Sequence, residues 1–256
     1  MTGRRKIQTA VDMVMMVLLF LLMPYSLIGE AFHEWCGIAL FLFFILHHVL
    51  NRNWLKNIAK GKYTPFRIYN TVLDVLLFGV MFVLPVSGIL MARYVFSFSF
   101  HVVVSRQVHL ALSYWGFVLM GLHLGNHWHM AVGKLFSGKR MEAWQKCVIR
   151  MIPAVLSVYV GYAFIARDFW EYMFLKTRFV FLDFNEPIYQ FLADYMAVMV
   201  LIVFAGYYIS KTLRFFTGKL MHSEQRKVVA RDGIGKERTS CLPLSKRISA
   251  GIPGQE

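Results

Sequence analysis

The chain has 256 residues, 57% of them hydrophobic, and a mean hydropathy of +0.51. A soluble domain of this size cannot hide that much apolar surface in one core, so composition excludes an ordinary globular protein. The formal charge of +14 invites a nucleic-acid reading, but the basic residues cluster between and after the apolar runs, with no Arg/Lys stripe interleaved with aromatics on a polar domain. Nucleic acid is therefore excluded as a partner.

The apolar runs are near the length that crosses a bilayer core about 30 Å thick. Six spans are predicted, from about Val11 to Ile28, Phe32 to Leu50, Tyr69 to Met91, Val108 to Val132, Ile152 to Ala166 and Ile188 to Ser210. Met1 to Lys6 followed by an apolar run resembles a signal peptide. No small-residue cleavage site follows, and Pro24-Tyr25-Ser26 leads into another apolar segment, so an uncleaved first span is expected.

Charge sets the orientation. Arg4, Arg5 and Lys6 lie at the N-terminus, and Arg52, Lys56, Lys60, Lys62 and Arg67 join spans two and three. Lys134, Lys139, Arg140, Lys146 and Arg150 join spans four and five, and the chain after Lys211 is again basic. The other connections are poorer in cations. The positive-inside rule then places both termini in the cytoplasm. The expectation is an all-α integral membrane six-helix bundle over residues 1–211. A basic, partly disordered cytoplasmic tail would follow over 212–256, with an amphipathic stretch from Leu213 to Met221 against membrane lipid of the inner leaflet.

Cys36, Cys147 and Cys241 are scattered, without CxxC or CxxCH, which argues against c-type haem attachment and iron–sulfur clusters. Histidine is more informative. His33 and His47 lie on span two, and His109 and His123 on span four, each pair fourteen residues apart. That spacing is just under four helical turns and a rise of about 21 Å, so each pair shares nearly one face. Spans two and four both run from outside to inside in this topology. His33 and His109 then share the outer level, and His47 and His123 the inner one. Two facing imidazole pairs at two depths are what two stacked, doubly ligated haems require.

Alternatives stay open at the inner level. His48 points about 100° from its neighbour His47, and fourteen residues from His33 fits one face slightly better than fifteen. His127 lies five whole turns from His109 but about 27 Å along, and could instead bond a haem propionate or sit near a quinone. His101, His129 and His222 read as loop, interfacial and tail residues. One histidine in a span can simply bridge two helices; the matched spacing is what points to ligation.

Small residues accompany these positions: Gly37, Gly88, Gly116, Gly121 and Gly125. They would leave space for a porphyrin or allow close helix packing. Arg52, Arg93 and Arg106 are candidates for propionate partners or interfacial anchors. Glu34, beside His33, could orient an outer ligand or move a proton, whereas Asp74 and Asp194 read as solvated helix ends. No nucleophile–base set, phosphate loop or Rossmann fingerprint is evident, so the chain can relay electrons but has no site for hydride chemistry.

His33-Glu34-Trp35-Cys36-Gly37 with His47-His48-Val49-Leu50-Asn51-Arg52-Asn53-Trp54 resembles the opening motif of the flavinylation-associated cytochrome family. Leu122-His123-Leu124-Gly125-Asn126-His127-Trp128 resembles it too. So do Phe181-Leu182-Asp183-Phe184-Asn185-Glu186-Pro187, Asp194-Tyr195 and Gly206-Tyr207-Tyr208-Ile209-Ser210-Lys211. The resemblance covers roughly residues 8 to 212. It implies a b-type cytochrome of the bacterial cytoplasmic membrane, broadly like the two-haem core of ferric reductases. Such a protein passes electrons to extracytoplasmic proteins carrying covalent flavin. This chain has neither a flavin–nicotinamide domain nor a flavin-attachment threonine motif. It would be the electron-transfer component rather than a self-contained enzyme, with quinol or a cytoplasmic reductase as donor. The expected ligands are His33 and His109 for the outer haem b, and His47 and His123, with alternates His48 and His127, for the inner one. The competing expectations are a cytochrome b subunit of a quinone-linked dehydrogenase and a histidine-based transporter of metal or haem. Spans two and four look unbroken, unlike the interrupted helices of many transporters.

Overall fold

The computed structural model describes residues 3–58, 60–61, 63–95, 102–135, 142, 144, 159–161, 163–178 and 186–240. The side chains of Ser26, Val102, 129–135, Gln225 and 227–240 are excepted. The described elements are helical: α1 (Gly3–Leu22), α2 (Tyr25–Ile28), α3 (Glu30–Leu50), α4 (Asn53–Ile58), α5 (Pro65–Met91), α6 (Val102–Leu135), α7 (Phe169–Met173) and α8 (Ile188–Ser240). Residues 159–161 and 163–166 are helical as well.

Four helical stretches are long and apolar enough to cross a membrane: Glu30–Leu50, Pro65–Met91, Val103–Trp128 and Ile188–Glu224. The protein is an all-α, multi-pass membrane protein. Large apolar side chains such as Leu42 (60% exposed) and Phe82 (53%) point outward, as a hydrocarbon solvent permits.

Local chemistry sets the helix ends. Thr64 caps α5 by accepting from the Arg67 N–H, and Pro65 takes the first turn, where no N–H is needed. Gly29 adopts φ 93° between α2 and α3, a conformation that favours glycine. Pro24 falls in the break after α1, so the first predicted span does not run on to Ile28 as one helix. By contrast α8 continues past Lys211 without a break, to Ser240. Residues 152–158 of the predicted fifth span lie outside the described residues.

Side-chain contacts give the helix directions. Arg4 Nη2 donates to the Leu50 carbonyl (2.7 Å), so the start of α1 meets the end of α3. The Phe44 and Phe78 ring centroids lie 5.7 Å apart, while Glu34 reaches the backbone after α5, making α3 and α5 antiparallel. Ser87 meets His109, and Asp74 meets His123, so α5 and α6 are also antiparallel. α6 and α8 are parallel: Tyr114 pairs with Tyr195 (3.0 Å) and, further along both, Asn126 with Ser210 (2.8 Å). One end of the bundle thus gathers Arg4, Arg5, Lys6, Arg52, Lys56 and Arg214; it is called the basic end below, and the opposite end the far end.

The interior has two apolar clusters. One, around Tyr114, Phe117, Phe169, Phe191 and Tyr195, joins α6, α7 and α8 to the end of α1. The other, Val11, Met15, Leu40, Phe44, Leu77 and Met81, joins α1, α3 and α5, with Leu119 and Met120 of α6 against it. The helices α5 and α6 pack closely, as do α6 and α8, whereas the backbones of α3 and α6 make at most glancing contact.

Candidate functional site

The four histidines of the spacing argument lie on α3 and α6 at two levels, with the second apolar cluster between them. At the far end the imidazoles of His33 and His109 face each other across the loosely packed α3–α6 boundary. Their ring centroids are 6.0 Å apart and their planes 67° apart. His109 Nδ1 lies 3.1 Å from the Leu84 carbonyl and 3.1 Å from Ser87 Oγ. Ser87 itself donates to Leu84 O (2.7 Å). A carbonyl can only accept, so His109 carries its proton on Nδ1 and its lone pair on Nε2. His33 packs edge-on against Tyr25 at 5.5 Å, and its buried Nδ1 has no hydrogen-bond partner among the described residues. An unpaired buried polar atom is costly, and in native proteins it calls for a partner.

At the basic end, His123 Nδ1 lies 2.9 Å from Asp74 Oδ1. Oδ2 of the same carboxylate accepts from Trp54 Nε1 (2.9 Å) and Asn70 Nδ2 (2.9 Å). Asn70 in turn accepts from Asn126, which bonds Ser210 Oγ at 2.8 Å and accepts at its backbone carbonyl from Arg214 (3.2 Å). This polar chain ties α4, α5, α6 and α8 together. His47 Nδ1 lies 2.7 Å from Asp12 Oδ1 on α1. His48 Nδ1 lies 3.0 Å from its own-helix Phe44 carbonyl, and its ring packs on Phe78 at 5.0 Å. A carboxylate or carbonyl facing Nδ1 fixes the same tautomer in all three rings, with the lone pair on Nε2.

The structure therefore brings His33 to His109 directly. It turns His47 toward α1 and His48 toward α5, where His48 is within Coulombic reach of His123 and Asp74. His127 stacks edge-on against His123 at 4.8 Å. His47 and His48, and likewise His123 and His127, remain paired alternatives for the basic-end level. His101 and the His129 side chain lie outside the described residues, as do residues 181–185 of the C-terminal motif; His222 is exposed on α8.

The glycines divide by role. A Cβ on Gly125 would run into the Val203 carbonyl, and one on Gly121 would lie 2.7 Å from Ile202 Cγ2, so both serve the α6–α8 contact. A Cβ on Gly88 would lie 3.3 Å from His109 Cε1, so this glycine makes room for the imidazole. Gly37, one turn from His33, faces open space, with nothing within 4 Å of a Cβ there.

Three acids have roles the sequence did not show. Asp74 holds His123. Glu34 does not orient a histidine: its oxygens accept from the backbone N–H groups of Arg93, Tyr94 and Val95 at 2.8, 3.0 and 3.0 Å. Asp194 is no solvated helix end. With Glu186 it holds Arg167, 2.9 Å from Arg167 Nε, and it also accepts from Tyr159. Glu186 above all, then Asp194, raises the Arg167 pKa above its ordinary value, against the opposing effect of burial. Asp74 was legible in principle, because it sits on span three at the depth of the basic-end histidines. The Arg167 cluster had no such signal.

Among the described residues no group of three or more His, Cys, Asp and Glu side chains is arranged to hold a metal ion. A cavity of about 400 Å³ opens at the basic end, lined in part by Trp54, Asn57, Lys60, Arg67 and Asn70. The chain matches no protein-family model, no curated protein and no solved structure.

Proposed function

We propose that the protein is a dihaem b-type membrane cytochrome that relays electrons between the two faces of the bilayer. The observation that carries this reading is the His33–His109 pair. Two imidazoles facing each other from neighbouring helices would offer one donor from each side to a haem iron. The ring centroids are 6.0 Å apart, between helices whose backbones are not packed together. The open space beside His33 at Gly37 fits a bound group there.

The basic-end level supports the second site. His47, His48 and His123 each have Nδ1 engaged and Nε2 available, the arrangement common to histidine ligands. A haem needs only two ligands from the protein, whereas zinc sites draw on three or four.

A bound b-type haem supplies one-electron chemistry at iron. His33 and His109 hold it at the far end, and His123 with His47 or His48 at the basic end. Leu40, Phe44, Leu77 and Met81 keep water from the space between. Two further crossings complete the six-helix bundle. α1 runs antiparallel to the full length of α3. Parallel α6 and α8 need a connection that returns the chain from one side to the other. With the basic end cytoplasmic, electrons enter from quinol or a cytoplasmic reductase and leave to an extracytoplasmic flavin-bearing protein. The experiment is haem content per chain in single alanine variants. His33→Ala and His109→Ala should each remove one of two haems; two haems retained in both folded variants would overturn the far-end ligands. The same experiment decides His47 against His48 and His123 against His127.

A further inference from the structure

The two histidine levels are backed differently. At the basic end, His123 Nδ1 meets the Asp74 carboxylate at 2.9 Å and His47 Nδ1 meets Asp12 at 2.7 Å. At the far end, His109 Nδ1 meets a neutral carbonyl and a hydroxyl, and the His33 ring has the neutral Leu22 backbone beside it. The nearby carboxylate, Glu34, acts on His33 only through space, its oxygens being bonded to three backbone N–H groups rather than to a ring nitrogen.

We infer that Asp74, acting through His123, sets the basic-end haem at a lower reduction potential than the far-end haem, so that transfer from the basic end to the far end is downhill. The inference rests on the dihaem reading above. A carboxylate accepting from Nδ1–H pushes the imidazole toward imidazolate, makes it a stronger donor, and stabilises ferric over ferrous iron. A backbone carbonyl carries no net charge and does this more weakly. The Asp74 side chain is 10% exposed, so solvent screens it little, whereas that of Asp12 is 53% exposed and contributes less. Asp74 Oδ2 accepts from Trp54 Nε1 and Asn70 Nδ2, which fixes the carboxylate with Oδ1 against His123 Nδ1. The cation Arg214 opposes it from a distance, held at the Asn126 carbonyl rather than on a histidine. In each transfer one electron moves, one iron is oxidised and the other reduced, and no ligand or proton is exchanged. The external reductant is the quinol or reductase, and the external oxidant is the flavin-bearing protein.

The test is an optical redox titration of the haem-loaded protein, with haem counted in every sample. Wild type should show two midpoints. Asp74→Asn keeps an acceptor for His123 but removes the charge, so the lower midpoint should rise and the higher one stay in place. Asp74→Glu should bring the lower midpoint back down, which mere structural repair of packing would not do. Should Asp74→Asn fail to fold, Trp54→Phe removes one donor from the carboxylate and should move the lower midpoint further down. Two haems with unmoved midpoints, or movement of the higher midpoint alone, would overturn the inference and leave the dihaem reading intact. Protein without haem would overturn both.

Discussion

Asp74 Oδ1 lies 2.9 Å from Nδ1 of His123, on neighbouring antiparallel helices. The contact joins two residues 49 positions apart, and it depends on the register in which α5 and α6 pack. That register is fixed at the other end by Ser87 and Leu84 against His109, and beyond Asp74 by Asn70 against Asn126. His109 and His123 of α6 are thus both oriented by α5, which carries no histidine of its own.

The α6–α8 contact should be the least tolerant of added bulk. At Gly125 a methyl would meet the backbone carbonyl of Val203, which cannot rotate away. Overpacking costs about 1–3 kcal/mol, and Gly125→Ala should sit at or above the top of that range. Gly121→Ala, which meets the side chain of Ile202, should cost less. Gly37→Ala meets no protein atom within 4 Å and should leave the stability of the haem-free protein unchanged. Thermal unfolding in one detergent would rank the three; equal losses would contradict this packing.

Arg167 should be needed for the far end of α8. Its side chain is 15% exposed, between Glu186 at 12% and Asp194 at 11%. Arg167→Met leaves two carboxylates facing each other without a cation and should cost about 3–5 kcal/mol. Arg167→Met combined with Glu186→Gln and Asp194→Asn should recover much of that loss. The Arg167 pKa is raised, so the stability this represents is fully present below the ordinary arginine value and fades only as pH rises beyond it. Wild-type unfolding should therefore show no loss from this group up to about pH 10. A transition between neutral pH and that point, absent in the triple variant, would contradict the assignment.

Glu34→Ala should loosen the turn after α5 without disturbing α3. Three N–H groups lose a charged acceptor, and hydrogen bonds to charged groups are worth about 1.5–3 kcal/mol each. Hydrogen exchange at residues 93–95 should quicken, and Glu34→Gln should restore part of the protection. Unchanged exchange at those amides would show that the carboxylate does not hold the turn.

Helix positions were legible because a membrane span announces itself by length and hydropathy, which require no partner. Span two was expected from Phe32 to Leu50, and α3 runs Glu30–Leu50. Histidine spacing was legible for a similar reason: α3 and α6 are unbroken over the relevant residues, so three or four turns can be counted reliably. What sequence could not show depended on contacts between helices. His47 and His48 differ by about 100° on one helix, and only the positions of α1 and α5 decide that one meets Asp12 and the other Phe78. Gly121 and Gly125 fitted either a cofactor or a neighbouring helix until α8 was seen against them. Proline at position 24 marks the end of α1, a local signal that the hydropathy of the following residues obscured.

The most direct measurement is haem per polypeptide on the purified full chain, by pyridine haemochrome with a reduced-minus-oxidised spectrum. The account predicts two b-type haems per chain. One haem would contradict the two-level ligand scheme, and none, in protein produced with ample haem, would contradict the cytochrome reading itself.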